Sequence, residues 1–223
     1  LNWSWTTQAQ LIRFVNRDNI TVEQEWTDNA VKLDIGLDHL FVQGGQSAVV
    51  DAVYLAVKDL TKRRKAFPDR RQAVVLISDG EDRDSFYSEI DIYKLLKDSG
   101  IEIFTIAMTA NIPSKGRTAD KNSKSLKEVR GFVQRLAANS GGAVYELRDM
   151  SDNDITSQQL RSLMDELRAQ YVISYTPLDI TDENNVRSIK VSVTDAADGS
   201  KRKVIARSSI TLLPPEGKSK KKR

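Results

Sequence analysis

The sequence has no cysteine and one histidine, His39. The first absence excludes a disulfide framework, a thiol nucleophile, an iron–sulfur cluster and Cys-bound zinc. The second excludes any site that needs two imidazoles, such as an H-E-x-x-H metalloprotease. No apolar run approaches the ~20 residues of a membrane-spanning helix. No G-x-x-x-x-G-K-[ST] or G-x-G-x-x-G loop occurs, so nothing here cradles a nucleotide phosphate. Gly45-Gln-Ser47-Ala-Val49 lacks the second glycine of a nucleophile elbow. With His39 as the sole imidazole base, a serine hydrolase lacks its machinery. No signal peptide is visible, and the chain begins at Leu1 rather than Met, which reads as an internal fragment or a processed product.

What is present describes a folded domain. Hydrophobic residues make up 39% of the 223 positions, enough for a core and too many for a disordered segment. Basic residues number 34 against 31 acidic ones; five of the 34 fall among the last six positions, leaving 29 against 31 in residues 1–217. The basic character therefore belongs to the tail and not to the body, which argues against a nucleic-acid-binding domain. Lys62-Arg-Arg-Lys65 and the basic tail offer charge to an anionic surface, nucleic acid or membrane, against the plainer reading of a solvated helix end and terminus.

Alternation and turn residues predict strands over Ala9–Val15 and Ile20–Trp26, joined by Asn16-Arg-Asp-Asn19. Val31, Leu33, Ile35, Leu37 and Leu40 suggest a short helix. After Gly44-Gly45-Gln46-Ser47, helical spacing of Val49, Ala52, Val53, Ala56, Val57 and Leu60 predicts a longer one. Ala73-Val-Val-Leu-Ile77 is a continuous apolar run of the kind buried on both faces of a parallel sheet. A helix carrying Ile92, Leu95 and Leu96 stops at Gly100. A strand over Ile101–Met108, a surface loop over 109–125 and a helix through Leu136 follow. After Ser140-Gly141-Gly142 come a strand over Ala143–Leu147, a helix around Leu160–Leu167 and a strand over Tyr171–Tyr175. Beyond Pro177 the pattern becomes that of an antiparallel hairpin: Ile189, Val191 and Val193 alternate with polar residues, Asp198-Gly199 turns, and Val204–Leu213 returns. The regular strand–helix alternation means an α/β fold with a mostly parallel sheet. The expected division is 1–176 for the α/β domain, 177–213 for the hairpin extension and 214–223 for a basic tail without order.

In open α/β sheets, ligands bind at the carboxyl ends of the strands. Asp79, Glu81, Asp82 and Asp84 lie there, and Gly44–Ser47 enters the preceding helix. Hard oxygen donors on short loops suit Mg²⁺, Mn²⁺ or Ca²⁺. A plainer reading of the same residues makes Asp79-Gly80 a tight turn, Ser47 a helix N-cap, and Asp82 and Asp84 the caps of the next helix.

Gly44-Gly45-Gln46-Ser47-Ala48-Val49-Val50-Asp51-Ala52 is followed at fixed distance by Val75-Leu76-Ile77-Ser78-Asp79-Gly80-Glu81-Asp82. Then come Leu136-Ala137, Ser140-Gly141-Gly142, Gln170-Tyr171-Val172-Ile173-Ser174-Tyr175 and Ala206-Arg207. In this order the chain, over residues 9–213, resembles a von Willebrand factor type A (VWA) domain of the bacterial VWFA-related group. The resemblance implies a Rossmann-like sheet of strand order 3-2-1-4-5-6, flanked by helices, whose first, central strand is absent from this chain. It implies a metal-ion-dependent adhesion site in which Asp79 and Ser47 ligate Mg²⁺ (or Mn²⁺ or Ca²⁺). Gly44, Gly45 and Gly80 would shape the metal loops, and Asp82 would lie in the outer shell. The D-x-S-x-S ligands of that site are missing; Asn2-Trp-Ser4-Trp-Thr6 copies their spacing without a preceding strand.

The function expected on this basis is non-enzymatic: a protein-binding module whose partner presents an Asp or Glu side chain to the ion. No nucleic acid and no membrane span are expected, and the setting is secreted, periplasmic or at the cell surface. Two rivals remain. One is a metal-independent scaffold whose sheet surface or hairpin edge recruits a partner strand. The other is a metal-dependent hydrolase using Asp79, Asp82 and Asp84.

Overall fold

A computed structural model describes residues 7–41, 43–108, 126–147, 153–168, 186–195, 197, 199, 201, 204 and 209–211. The N-terminal pair β1 (Ala9–Phe14) and β2 (Ile20–Thr27) is antiparallel, with Phe14 opposite Ile20. Its turn closes locally: the Asn19 N–H donates to the Asn16 carbonyl at 3.1 Å, and the Asn16 side chain accepts from Asp18 N and Asn19 Nδ2. Helix α1 (Ala30–Asp38) is capped by Asn29 and ends at the exposed His39. Helix α2 (Val49–Ala66) then leads to β3 (Ala73–Ser78), α3 (Glu89–Ser99), β4 (Glu102–Met108), α4 (Leu126–Ser140), β5 (Val144–Leu147) and α5 (Asn153–Arg168). A short antiparallel pair, β6 (Val186–Ser188) and β7 (Ser209–Thr211), completes the described elements.

Strands β3, β4 and β5 form a parallel sheet in that order. One face is covered by α2, α3 and α4. Val53, Val57, Leu60, Leu76, Ile92, Leu96, Ile103 and Leu136 bury there in one cluster. The other face holds a smaller cluster of Phe104, Ile106 and Leu147 against Leu163 of α5. Burial of a Val, Leu or Phe side chain contributes about 1.5–3 kcal/mol each, so the first cluster dominates the stability of the domain.

Helix α3 shows how local sequence sets an element. Ser88 and Asp91 form a capping box, with the Asp91 carboxylate accepting from Ser88 N at 3.1 Å. That bonding, with Lys94 nearby, holds the Asp91 carboxyl below its ordinary range. At the other end Gly100 adopts φ 64°, the left-handed geometry of a helix stop. On the neighbouring helix Arg135 makes two bonds to Glu89, at 2.7 and 2.9 Å, and clasps α4 to α3.

One expectation needs correction: β3 is not buried on both faces. The register places Val75 beside Phe104 and Ile77 beside Ile106, yet Val75 is 43% and Ile77 57% exposed. Among the described residues β3 pairs with β4 alone, and the α5 cluster around Phe104, Ile106, Leu147 and Leu163 reaches β3 only at its first residue, Ala73. Among the described residues the strands fall into separate sheets. β1 and β2 form a separate pair that joins the core through Phe14 and Trp26, packed on the same cluster as α2. β1 and β3 therefore both rest on α2 without pairing with each other. The C-terminal antiparallel pair joins residues 186–188 to 209–211, and most of the expected return strand Val204–Leu213 lies outside the described residues. The expected strand over Tyr171–Tyr175, the loop over 109–125, Asn2–Thr6 and the tail 214–223 lie outside the described residues.

Candidate metal-loop site at the end of the parallel sheet

The chain leaves β3 through a series of side chain-to-backbone bonds. Ser78 Oγ accepts from Gly80 N at 3.0 Å, and Asp79 Oδ1 accepts from Glu81 N at 3.0 Å. These are ST- and Asx-type turns, which let a strand reverse without a second strand to satisfy it. Gly80 has φ 76°, and a Cβ there would lie 2.9 Å from Val129 Cγ1 and 3.1 Å from Val133 Cγ1. Any other residue is both strained and obstructed. Glu81 is buried and paired with Arg83. Asp79 itself is exposed, so its carboxylate faces solvent at the carboxyl end of the sheet.

The N-terminus of α2 meets this loop. Its N-cap residue is Ala48, which offers no capping oxygen, so Ser47 is not the N-cap. The orphan donors of the first turn are satisfied from across the fold. Val50 N donates to Asp82 Oδ1 at 3.0 Å and Asp51 N to Ser85 Oγ at 3.0 Å, while Ser85 Oγ–H donates to Asp82 at 2.5 Å. Asp51 returns the support: its buried carboxylate accepts from Phe86 N at 2.9 Å and Tyr87 N at 2.8 Å. A carboxylate at this position also faces the positive end of the α2 dipole. The Ser47 carbonyl accepts from Arg83 N at 2.7 Å and Asp84 N at 3.2 Å. Loop 44–48 and loop 79–87 thus form one hydrogen-bonded unit.

Asp82 and Asp84 do not cap α3, a role taken by Ser88. Asp82 caps α2. Asp84 binds Arg17 in the β1–β2 turn, with Nη2 to Oδ1 at 2.7 Å and Nε to its carbonyl at 2.8 Å. The Arg17 guanidinium holds the Asp84 carboxyl below the usual range, and Asp84 raises Arg17 in turn. Gly44 has no atom within 4 Å of a virtual Cβ. Gly45 would meet Val15 Cγ1 at 2.6 Å, because the loop lies against the end of β1.

The structure therefore brings the Ser47 and Asp79 loops together and commits Asp82 and Asp84 elsewhere. The Asp79, Asp82, Asp84 set does not converge as a two-metal hydrolase needs. Among the described residues no group of three or more His, Cys, Asp or Glu side chains could hold a metal ion. By residue type Asp79 and Ser47 offer hard oxygens, the donor chemistry of a divalent ion. Such a set suits Mg²⁺ that keeps most of its waters, since that ion is often held by one or two protein oxygens. Sequence reasoning missed Asp51, Ser85 and Arg17. Asp51 had a signal, as a lone acid inside the apolar run Val49-Val50-Asp51-Ala52-Val53.

The architecture is that of an α/β protein with a parallel sheet between helices and a polar loop cluster at the strands' carboxyl ends. The family model of the von Willebrand factor type A domain matches residues 5–161. The chain belongs to the von Willebrand factor type A domain family. Among solved structures it is similar to an aerotolerance-related membrane protein from Bacteroides fragilis. That match has 18% identity and a TM-score of 0.52, covering 74% of this chain and 81% of that one. It is also similar to the conserved hypothetical protein BatB from Bacteroides thetaiotaomicron, with 16% identity, a TM-score of 0.47, and 71% and 80% covered. A comparison with curated proteins gives no match. The solved structures bear on fold alone.

Proposed function

We propose that this chain is a non-enzymatic protein-binding module whose recognition surface is the loop cluster around Asp79 and Ser47. The observation that carries the reading is the exposed Asp79 carboxylate. It sits at the carboxyl end of the parallel sheet, beside a Ser47 loop held there by two backbone bonds. In this reading the two oxygens bind a divalent ion, Mg²⁺ or Mn²⁺ or Ca²⁺, and an Asp or Glu side chain of the partner protein completes its shell. A bound cation supplies the local positive charge that selects a carboxylate over a neutral group. Gly44 keeps the approach open, Gly80 supplies the left-handed turn after Asp79, and Asp82 and Asp51 act by holding the loops in place. Such modules are often exported in bacteria, and we place this one at the cell surface, in the periplasm or outside the cell.

The test is a thermal melt in EDTA and then in Mg²⁺ and Mn²⁺, with Asp79→Ala alongside. Binding at 100 times Kd adds about 2.7 kcal/mol, which raises Tm by several degrees in a domain of this size. A rise in the native chain that is absent from Asp79→Ala supports the ion. Equal melting in all conditions rejects it and leaves a metal-free module.

One observation favours a second reading, strand pairing. Among the described residues β3 has an unpaired edge beside exposed Val75 and Ile77, with no proline or charge within Ala73–Ser78, the kind of edge that recruits another strand. In that case Val75→Lys lowers partner binding by tenfold or more, on the order of one lost apolar contact plus a buried charge, and EDTA has no effect. Partner capture that survives Val75→Lys but is lost in EDTA excludes the strand reading.

A further inference from the structure

The end of the domain away from Asp79 has a separate chemistry. The last turn of α2 and the connection to β3, residues 62–71, read Lys-Arg-Arg-Lys-Ala-Phe-Pro-Asp-Arg-Arg, six cations with one acid. From Arg64 to Arg71 every residue is exposed. Three of the cations serve the interior. Arg63 lies over the Trp26 ring at 4.3 Å, Arg64 bonds the Ser99 carbonyl, and Arg71 pairs with Glu102 at 2.7 Å. Lys62, Lys65 and Arg70 make no ion pair among the described residues. Arg70 is instead oriented by Gln8 Oε1 at 3.0 Å.

Phe67 stands among these cations, 37% exposed, with Arg63 at 5.0 Å and Arg70 at 4.9 Å from its ring centroid. The α2 dipole accounts for cations in the helix's last turn. It does not account for an exposed aromatic and two arginines beyond the helix end. A cluster of Lys and Arg around an exposed ring matches an anionic bilayer surface, where the charges meet headgroup phosphates and the ring enters the interface. Single-stranded nucleic acid fits less well, because Arg63 and Arg70 already sit over the ring on which a base would stack.

We propose that the Lys62–Arg71 end docks this domain onto an anionic lipid surface. β3 runs away from this end for six residues, about 20 Å at ~3.3 Å each, so docking there leaves the Asp79 loops facing outward.

The experiment is flotation of the full 223-residue chain with phosphatidylcholine vesicles holding about 30% phosphatidylglycerol, against pure phosphatidylcholine. Binding to the anionic vesicles alone, released by high salt, is the expected result. Each surface cation contributes roughly fivefold in affinity. The triple variant Lys62→Glu, Lys65→Glu, Arg70→Glu therefore loses roughly a hundredfold or more, and Lys62→Gln with Lys65→Gln, which touches no interior contact, loses on the order of tenfold. Native-like melting of each variant confirms that folding is intact. The last six residues hold five further cations, so a parallel variant replaces Lys218, Lys220, Lys221, Lys222 and Arg223 with serine. Undiminished flotation of both patch variants, or loss confined to the tail variant, overturns the proposal. So does tighter binding of a short DNA strand than of the vesicles, abolished by the same patch substitutions.

Discussion

Gly142→Ala unfolds the parallel sheet, or comes close to it. A Cβ at Gly142 would overlap the Ile103 carbonyl, 2.6 Å from its carbon and closer than real Cβ atoms approach, and would lie a tight 3.1 Å from its nitrogen. The obstructing atoms belong to the start of β4, the middle strand, and cannot rotate away as a side chain would. Ser140 and Gly142 act together here. Ser140 Oγ accepts from Ile103 N at 2.9 Å and donates to the Ala137 carbonyl at 3.0 Å, drawing the α4 terminus onto β4 so tightly that only glycine fits two residues later. Overpacking typically costs about 1–3 kcal/mol, and backbone-on-backbone overlap belongs at or above that limit. We expect at least ~3 kcal/mol, a large part of the 5–15 kcal/mol that holds a domain together. Urea titration followed by circular dichroism reads this directly. Gly44→Ala is the control: with nothing within 4 Å of its Cβ, it leaves the midpoint unchanged or slightly higher. A Gly142→Ala midpoint equal to that of the native chain would show that the close approach is not a constraint.

Asp51→Ala has the second largest effect, for a different reason. Its carboxylate is 4% exposed and accepts two backbone donors, Phe86 N and Tyr87 N. Hydrogen bonds to a charged group contribute about 1.5–3 kcal/mol each, and alanine leaves both donors without an acceptor. A loss of roughly 3 kcal/mol follows. Asn restores one carbonyl acceptor, so Asp51→Asn retains part of it. The distinguishing readout is amide exchange. Phe86 and Tyr87 lose protection in Asp51→Ala before the core strands do, since the substitution frees the loop and not the sheet. Uniform loss of protection across β3, β4 and the loop would mean that Asp51 stabilises the whole fold without specifically fixing loop 82–87. Because that loop also carries Asp82 onto the first turn of α2, Asp51→Ala lowers any Mg²⁺-induced rise in Tm as well.

Much of the secondary structure was legible because its causes are local. The spacing of Val49, Val53, Val57 and Leu60 places them on one side of a 3.6-residue helix, and they are buried together. Gly100 ends α3 where a left-handed residue is required. Ser140-Gly141-Gly142 ends α4, although its real constraint is the contact with Ile103, which no local pattern contains. The candidate site was legible only in part. Asp79 stands where an acid after an apolar strand was expected, whereas the work of Asp82 was read as service to the following helix.

What the sequence by itself determined is the series of elements, their helical or extended character, and the exclusion of thiol, zinc-thiolate and P-loop chemistry. These follow from periodicity, turn residues and residue types that a chain either has or lacks. Only the tertiary structure decided that α2 is capped by Asp82 and Ser85, whose oxygens accept its first-turn N–H groups from more than 30 residues away. It alone decided that Arg17 holds Asp84, and that Val75 and Ile77, in a run with the pattern of a doubly buried strand, face solvent beside an edge unpaired among the described residues. The physical reason is the same in each case. A backbone donor or an apolar side chain specifies that it needs a partner, but which partner it finds depends on how distant segments are laid side by side.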